Sequence, residues 1–226
     1  RQAMNKTLER VALASVMTLG ILGSLSSQAN EAPCAVSSDT KLPFFGDLHI
    51  HTRYSFDSFL SNQKNDPDGA YEYAKGQVIT LPDAYGEQTI SAQIDRPIDF
   101  AAITDHGQFL GEVALCDSDW TQAAWWTPVC LMSRAQNLWI QLYAASLWTV
   151  SGGMEGEAPE RGIVCSLGNC EENALSVWDD IQKAAERHYD RSEDCSFTTF
   201  VGYEYTQGQE MANLHRNVIF RGEEVT

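Results

Sequence analysis

Residues 46–51, GDLHIH, alternate between polar and apolar, and two histidines stand one residue apart at the end of the run. Period-two alternation fits a β-strand, in which residues two apart share a face. Asp47, His49 and His51 are therefore expected to project together for as far as the strand persists. Residues 61–69, SNQKNDPDG, collect Asn, Asp, Pro and Gly, so a loop is expected after the histidines. AYEYAKG and GEQTISAQI read as short helices or turns. RPIDFAAITDHG then offers a buried strand over residues 98–104 that runs into Asp105 and His106.

The following stretch is helical in pattern and rich in tryptophan. Residues 133–150 place Leu138, Trp139, Leu142 and Ala145 on one stripe, and residues 172–189 space Ala174, Val177, Trp178, Ile181 and Ala185 likewise. Their tryptophans are expected in the core. SFTTFVGYEYT, rich in aromatic and β-branched residues, predicts a strand ending at Glu204, and LHRNVIFRG predicts another that begins beside His215. Strands alternating with helices predict an α/β domain rather than a sandwich.

From Met4 the chain shows Lys6 and Arg10, then an apolar stretch over residues 11–25 diluted by small residues, then Ser27-Gln28-Ala29. This is the pattern of a secretory signal cleaved after Ala29; it is short of the ~20 apolar residues of a spanning helix. The expected organisation is residues 1–29 as upstream residues and signal, 30–41 as leader and 42–226 as the folded domain. A periplasmic or secreted protein follows, with no membrane attachment after cleavage. All six cysteines lie beyond that site, which suggests up to three disulfides in any of fifteen pairings. Cys165 and Cys170, flanking SLGN, fit a small disulfide loop, the alternative being half of a thiolate zinc site. The net charge of −16, with no basic stripe, argues against a nucleic-acid partner.

Of five histidines, four (His49, His51, His106 and His215) fall at strand boundaries, joined there by Glu204. In parallel α/β folds the carboxyl ends of strands converge on one rim, where catalytic groups collect. Two imidazoles on one face can hold a transition metal, and nearby carboxylates can orient them. His188 lies on the amphipathic helix and reads as surface or packing.

DLHIHTRYSFD, DFAAITDHG and VGYEYT with NLHRNVIF, in that order over residues 43–226, resemble the polymerase-and-histidinol-phosphatase (PHP) superfamily, and within it the secreted branch labelled domain of unknown function 3604. The resemblance implies a distorted (β/α)7 barrel with two or three divalent metals, Zn, Mn or Fe. By position, His49 and His51 match first-metal ligands, Glu204 the bridging carboxylate and His215 a second-metal ligand. Asp57 and His106 match a third position, with Asp105 behind it. The family pattern also has a later His and a closing Asp-x-His, which this sequence lacks. Because a closed α/β barrel takes ~250 residues, the expected fold is the front part of such a barrel.

Clustered divalent ions activate water as a metal-bound hydroxide and neutralise phosphoryl charge, so the expected activity is metal-dependent hydrolysis of a small-molecule phosphoester. The alternatives are hydrolysis of an amide or sulfate ester and a degenerate binding module without catalysis. Arg53 and Arg216, beside ligand positions, are candidates to grip phosphate oxygens or plain solvated residues. Tyr54, Tyr203 and Tyr205 are candidates to shape the pocket or to pack.

Overall fold

The computed structural model describes residues 40–82, 89–151, 162–209, 212–222 and 225. The expected signal segment, nearly all of the leader and most of the loop after residue 151 lie outside them. In chain order the elements are β1 (Gly46–Ile50), α1 (Phe56–Leu60), α2 (Pro67–Ala74), β2 (Ile79–Pro82), β3 (Thr89–Ala92), β4 (Phe100–Ile103), α3 (Leu110–Cys116), α4 (Pro128–Ser133), α5 (Leu138–Ser151), α6 (Ile163–Leu167), α7 (Cys170–His188), β5 (Thr198–Gln209) and β6 (Ala212–Ile219).

The main sheet has the order β1-β4-β5-β6. β1, β4 and β5 run parallel, and β6 returns antiparallel to β5. The fold is mixed α/β with a curled half-barrel sheet. The curl is visible in one bond: Asn217 Nδ2, on the last strand, donates to the carbonyl of Leu48 on the first at 2.8 Å. Strand β4 is the centre. Its Ala101, Ala102 and Ile103 are fully buried, as expected of a parallel strand covered on both faces.

Helix α7 covers the sheet. Asn169 caps it by accepting from the Glu172 N–H at 3.1 Å, Glu171 and Glu172 occupy its first turn, and Arg187 and His188 its last, all matched to the helix dipole. Val177, Ile181, Ala184 and Ala185 form its buried stripe, against Ala101, Ile103 and Val201 of the sheet. A second cluster joins Phe59, Phe109, Val113, Ala144, Trp148 and Val164. Gly111 of α3 allows the two layers to meet, because a Cβ there would lie 1.9 Å from the Cys170 carbonyl oxygen at the start of α7.

Several expectations are corrected. The Asp-Pro-Asp-Gly turn chemistry opens α2: Asp66 accepts from the Gly69 N–H at 2.8 Å and Pro67 sits at the first helical position. Thr89–Ala92 within GEQTISAQI is a strand, paired antiparallel with β2. Strand β5 does not stop at Glu204 but continues to Gln209, carried by its ladder with β6. The helix expected over 133–150 starts only at Leu138, as α5, because Ser133 ends the separate helix α4. Within it, Ala144 and Trp148 are buried, whereas Leu138, Trp139 and Leu142 are exposed, Trp139 at 78%.

Disulfides join Cys116 to Cys130 and Cys165 to Cys170, so the second pair is a bridge and not a thiolate half-site. Two such bonds indicate an oxidising compartment. No helix among the described residues is long and apolar enough to cross a membrane.

Candidate metal centre

The carboxyl ends of β1 and β4 and the middle of β5 meet at one rim. The β1–β4 register shifts between Asp47 and Ile50, an irregularity of the kind that re-aims side chains. Asp47 does not join the histidines: its Oδ1 accepts from the His49 N–H at 2.9 Å. His49 and His51 turn instead toward Glu204, with ring centroids 4.9 Å apart. Beyond β4 the chain forms an isolated parallel bridge between His106 and Glu204, which brings a buried imidazole beside a buried carboxylate.

Glu204, 1% exposed, is the hub. Its Oε2 lies 3.1 Å from His49 Nε2, 2.7 Å from His51 Nε2 and 3.8 Å from His106 Nε2. Its Oε1 meets His215 Nδ1. On the far side of His51, Nδ1 stands 2.9 Å from Asp57 Oδ2, which is 3.6 Å from His106 Nε2. The six sequence-predicted residues thus fall into three overlapping groups: His49, His51 and Glu204; His51, Asp57 and His106; His106, Glu204 and His215.

The electrostatics follow from crowding. Burial opposes ionisation of Glu204, but the charge of His106 and hydrogen bonds with His49 and His215 hold its carboxyl below the ordinary value. Burial likewise works against Asp57, and His106, His51 and the Ser55 hydroxyl overcome it, keeping it well below the usual carboxylate range. For His51, burial lowers and Asp57 raises, with the net direction upward.

Asp105 stands behind the rim. Its Oδ1 accepts from the Thr52 N–H at 2.5 Å and its Oδ2 from the Thr52 hydroxyl at 2.7 Å; burial pushes its pKa up to about 6. It fixes the residue that follows His51. Two positioning groups had gone unnoticed in the sequence. Ser55 Oγ, fully buried, accepts from the His106 N–H at 3.1 Å. Thr206 Oγ1 lies 2.9 Å from His106 Nδ1 and 3.2 Å from His215 Nδ1. Thr206 sits two residues beyond Glu204, on the same strand face, and that spacing was its only signal.

Neither arginine joins the rim. Arg53 Nε donates to Asp117 Oδ2 at 2.9 Å. Arg216 follows His215 on β6, opposite Tyr205, so alternation directs it to the other face. Tyr54 donates its hydroxyl to Asp180 at 2.7 Å and Tyr203 packs on Trp178 and Phe220, while Tyr205 is exposed. His188 is a packing residue, bonded to Asp68 at 2.9 Å with its ring against Tyr71.

Do these donors fit a divalent ion? Metal–nitrogen and metal–oxygen bonds of ~2.0–2.2 Å place two ligands of one ion up to ~4.2 Å apart. The nitrogen–oxygen separations given above do not exceed 3.8 Å and the donors of each group lie within 4.8 Å of one another, so a small side-chain adjustment brings them to the spacing of a shared ion. Mixed imidazole and carboxylate donors suit Zn, Mn or Fe.

Fold and rim together define a class: a mixed α/β protein whose parallel strand ends carry fused histidine–carboxylate groups able to hold divalent metal. The chain belongs to the family described as Protein of unknown function (DUF3604), whose model matches residues 38–226. No curated protein and no solved structure matches it.

Proposed function

We propose that the protein is a metal-dependent hydrolase of phosphoesters, an exported member of the PHP superfamily with a barrel-derived fold, holding two or three Zn, Mn or Fe ions on the six rim residues. The observation that carries the reading is Glu204, buried at 1% exposure with its two oxygens serving different imidazoles. A buried carboxylate so placed, with ring nitrogens on either side, is suited to bridging two cations.

Divalent ions held by His49, His51, Asp57, His106, Glu204 and His215 would supply Lewis acidity, lowering the pKa of water toward ~7 and neutralising phosphoryl charge. The chain's own residues do the rest. Glu204 and Asp57 remain ionised, for the reasons above, and so are available as anionic donors. Asp105 and Ser55 fix the backbone at Thr52 and His106, holding neighbouring rings in place. His49 is the most open of the ligand candidates, its side chain 58% exposed, and leaves an approach for substrate. With Arg53 engaged by Asp117 and Arg216 on the other strand face, neither arginine is placed to balance charge on the ester.

The test is elemental analysis of the purified full-length chain beside His49→Ala/His51→Ala, with a phosphoester panel before and after chelation. Two or more equivalents of Zn, Mn or Fe, lost in the double variant, and turnover that chelation abolishes and metal restores, are expected. Less than about a tenth of an equivalent after reconstitution, or turnover indifferent to chelator, overturns the reading.

A further inference from the structure

Beside the rim, on the Asp57 side, lies a cavity of about 350 Å³ lined among the described residues by Asp57, Ser58, Ser61, Asn62, Gln63 and Leu81. It is large enough for a small ligand group. Asp57 belongs to both places: its Oδ2 is 2.9 Å from His51, and its side chain forms one wall of the cavity. The cavity therefore adjoins the His51–Asp57–His106 group.

The chemistry of the lining is selective. Besides Asp57 it offers hydroxyls and amides, which donate and accept hydrogen bonds without net charge, and one apolar wall in Leu81. None of these residues is basic. The two cations nearest in sequence, Arg53 and Lys64, are both turned to Asp117, Arg53 Nε at 2.9 Å and Lys64 Nζ at 3.5 Å. A second phosphate or a carboxylate placed here would find no basic side chain among the described lining residues to take up its charge, which is costly. A sugar or polyol finds partners for its hydroxyls and, in Leu81, a surface for its C–H face.

We infer that this cavity is a subsite for an uncharged, hydroxyl-rich group, so that the substrates of the proposed hydrolase are phosphate esters of sugars or polyols and not polyphosphates. The inference rests on the hydrolase reading for the ester and on the cavity alone for the hydroxylated group. Ser58 and Ser61 are its hydrogen-bonding residues, and Asp57 separates it from the centre.

The experiment uses the metal-loaded full chain. Turnover of glycerol phosphate and glucose phosphate is compared with that of pyrophosphate, and binding of methyl glucoside is followed by calorimetric or NMR titration. A kcat/KM at least about tenfold higher for the two esters is expected. Ser58→Ala/Ser61→Ala should weaken them by about tenfold, the size of one or two lost hydrogen bonds, with the loss carried by KM rather than kcat. Ser61→Lys, at an exposed position, should move preference toward pyrophosphate. A wild-type preference for pyrophosphate, or a KM for the esters that ignores both serines, overturns the subsite while leaving the hydrolase standing. If no ester is turned over, the hydrolase reading fails by itself and the titration decides the subsite: methyl glucoside binding weakened about tenfold by the serine changes sustains it, and absent or unaltered binding overturns it.

Discussion

The rim of strand ends and the helical layer beside it are both buried, and they are built on opposite terms. At the rim, Glu204, His106 and Asp105 are almost wholly enclosed, and several ring nitrogens face carboxylates. In the layer, Phe109, Trp148, Val113 and Val164 pack by shape, and closure is covalent through Cys116–Cys130 and Cys165–Cys170. Buried ionic contacts return little net stability once desolvation is counted, whereas apolar burial and cross-links return much. The rim is thus held in place by a structure it does little to stabilise. One residue joins the two: the Phe56 ring lies 4.8 Å from His106, 5.3 Å from Phe109 and 6.4 Å from Trp148.

The division is open to test by changes on either side of it. The largest effect is expected in the layer, where Trp148→Ala removes an indole that also donates to Ser133 at 2.9 Å. It should cost about 3–5 kcal/mol in denaturant unfolding, and retention of metal by the fraction that remains folded would sharpen the contrast. Replacing Cys116 and Cys130 by serine opens a cross-link with a sequence separation of 14 and should cost about 3 kcal/mol; equilibrium unfolding measures the cost, and elemental analysis of the folded fraction should find the metal content unchanged. On the other side, Asp105→Asn removes a support of the His51–Thr52 backbone, and chelator competition should show metal affinity reduced by about 10- to 100-fold with the unfolding midpoint moved less than by either layer variant. A collapse of stability there would break the comparison.

The smallest effect is expected at Asp68, where the Arg187 hydrogen bond, against slight burial and with help from His188, holds the carboxyl below its ordinary value. A depressed folded pKa gives stability that is present above the unfolded value of ~3.9 and is lost as pH falls through the folded one. Solvent screening limits it to less than about 1 kcal/mol. Asp68→Asn should therefore lower the urea midpoint slightly at neutral pH, and the difference from wild type should shrink as pH falls through the depressed folded pKa.

Sequence patterns conveyed the parallel strands well, because each carries its own signal: alternation in GDLHIH, an apolar run in DFAAI, β-branched and aromatic residues in TTFVGYEY. Five of the six rim residues were legible for a related reason, since chemistry placed at strand ends is anchored to those patterns, whereas Asp57, on α1, was indicated by the family resemblance alone. What was illegible depended on partners. TISA is a strand because ITLP pairs with it, and β5 runs past Glu204 through Gln-Gly-Gln because β6 supplies the other half of a ladder. Periodicity marked Leu138, Trp139 and Leu142 as apolar without saying whether a neighbour covers them, and they are exposed. Cysteine spacing carried no pairing for Cys116 and Cys130, which the packing of α3 on α4 brings together.

Glu204 offers its two oxygens in two directions, one toward His49 and His51 and the other toward His215. In the proposed centre this makes loading a linked equilibrium. An ion held by the first pair fixes the carboxylate that the second position needs, so the ordering cost is met once for two ligations. Linkage is reciprocal: by whatever factor the first ion tightens the second, the second tightens the first. A metal titration should then depart from the curve of independent positions, by the same coupling whichever position fills first.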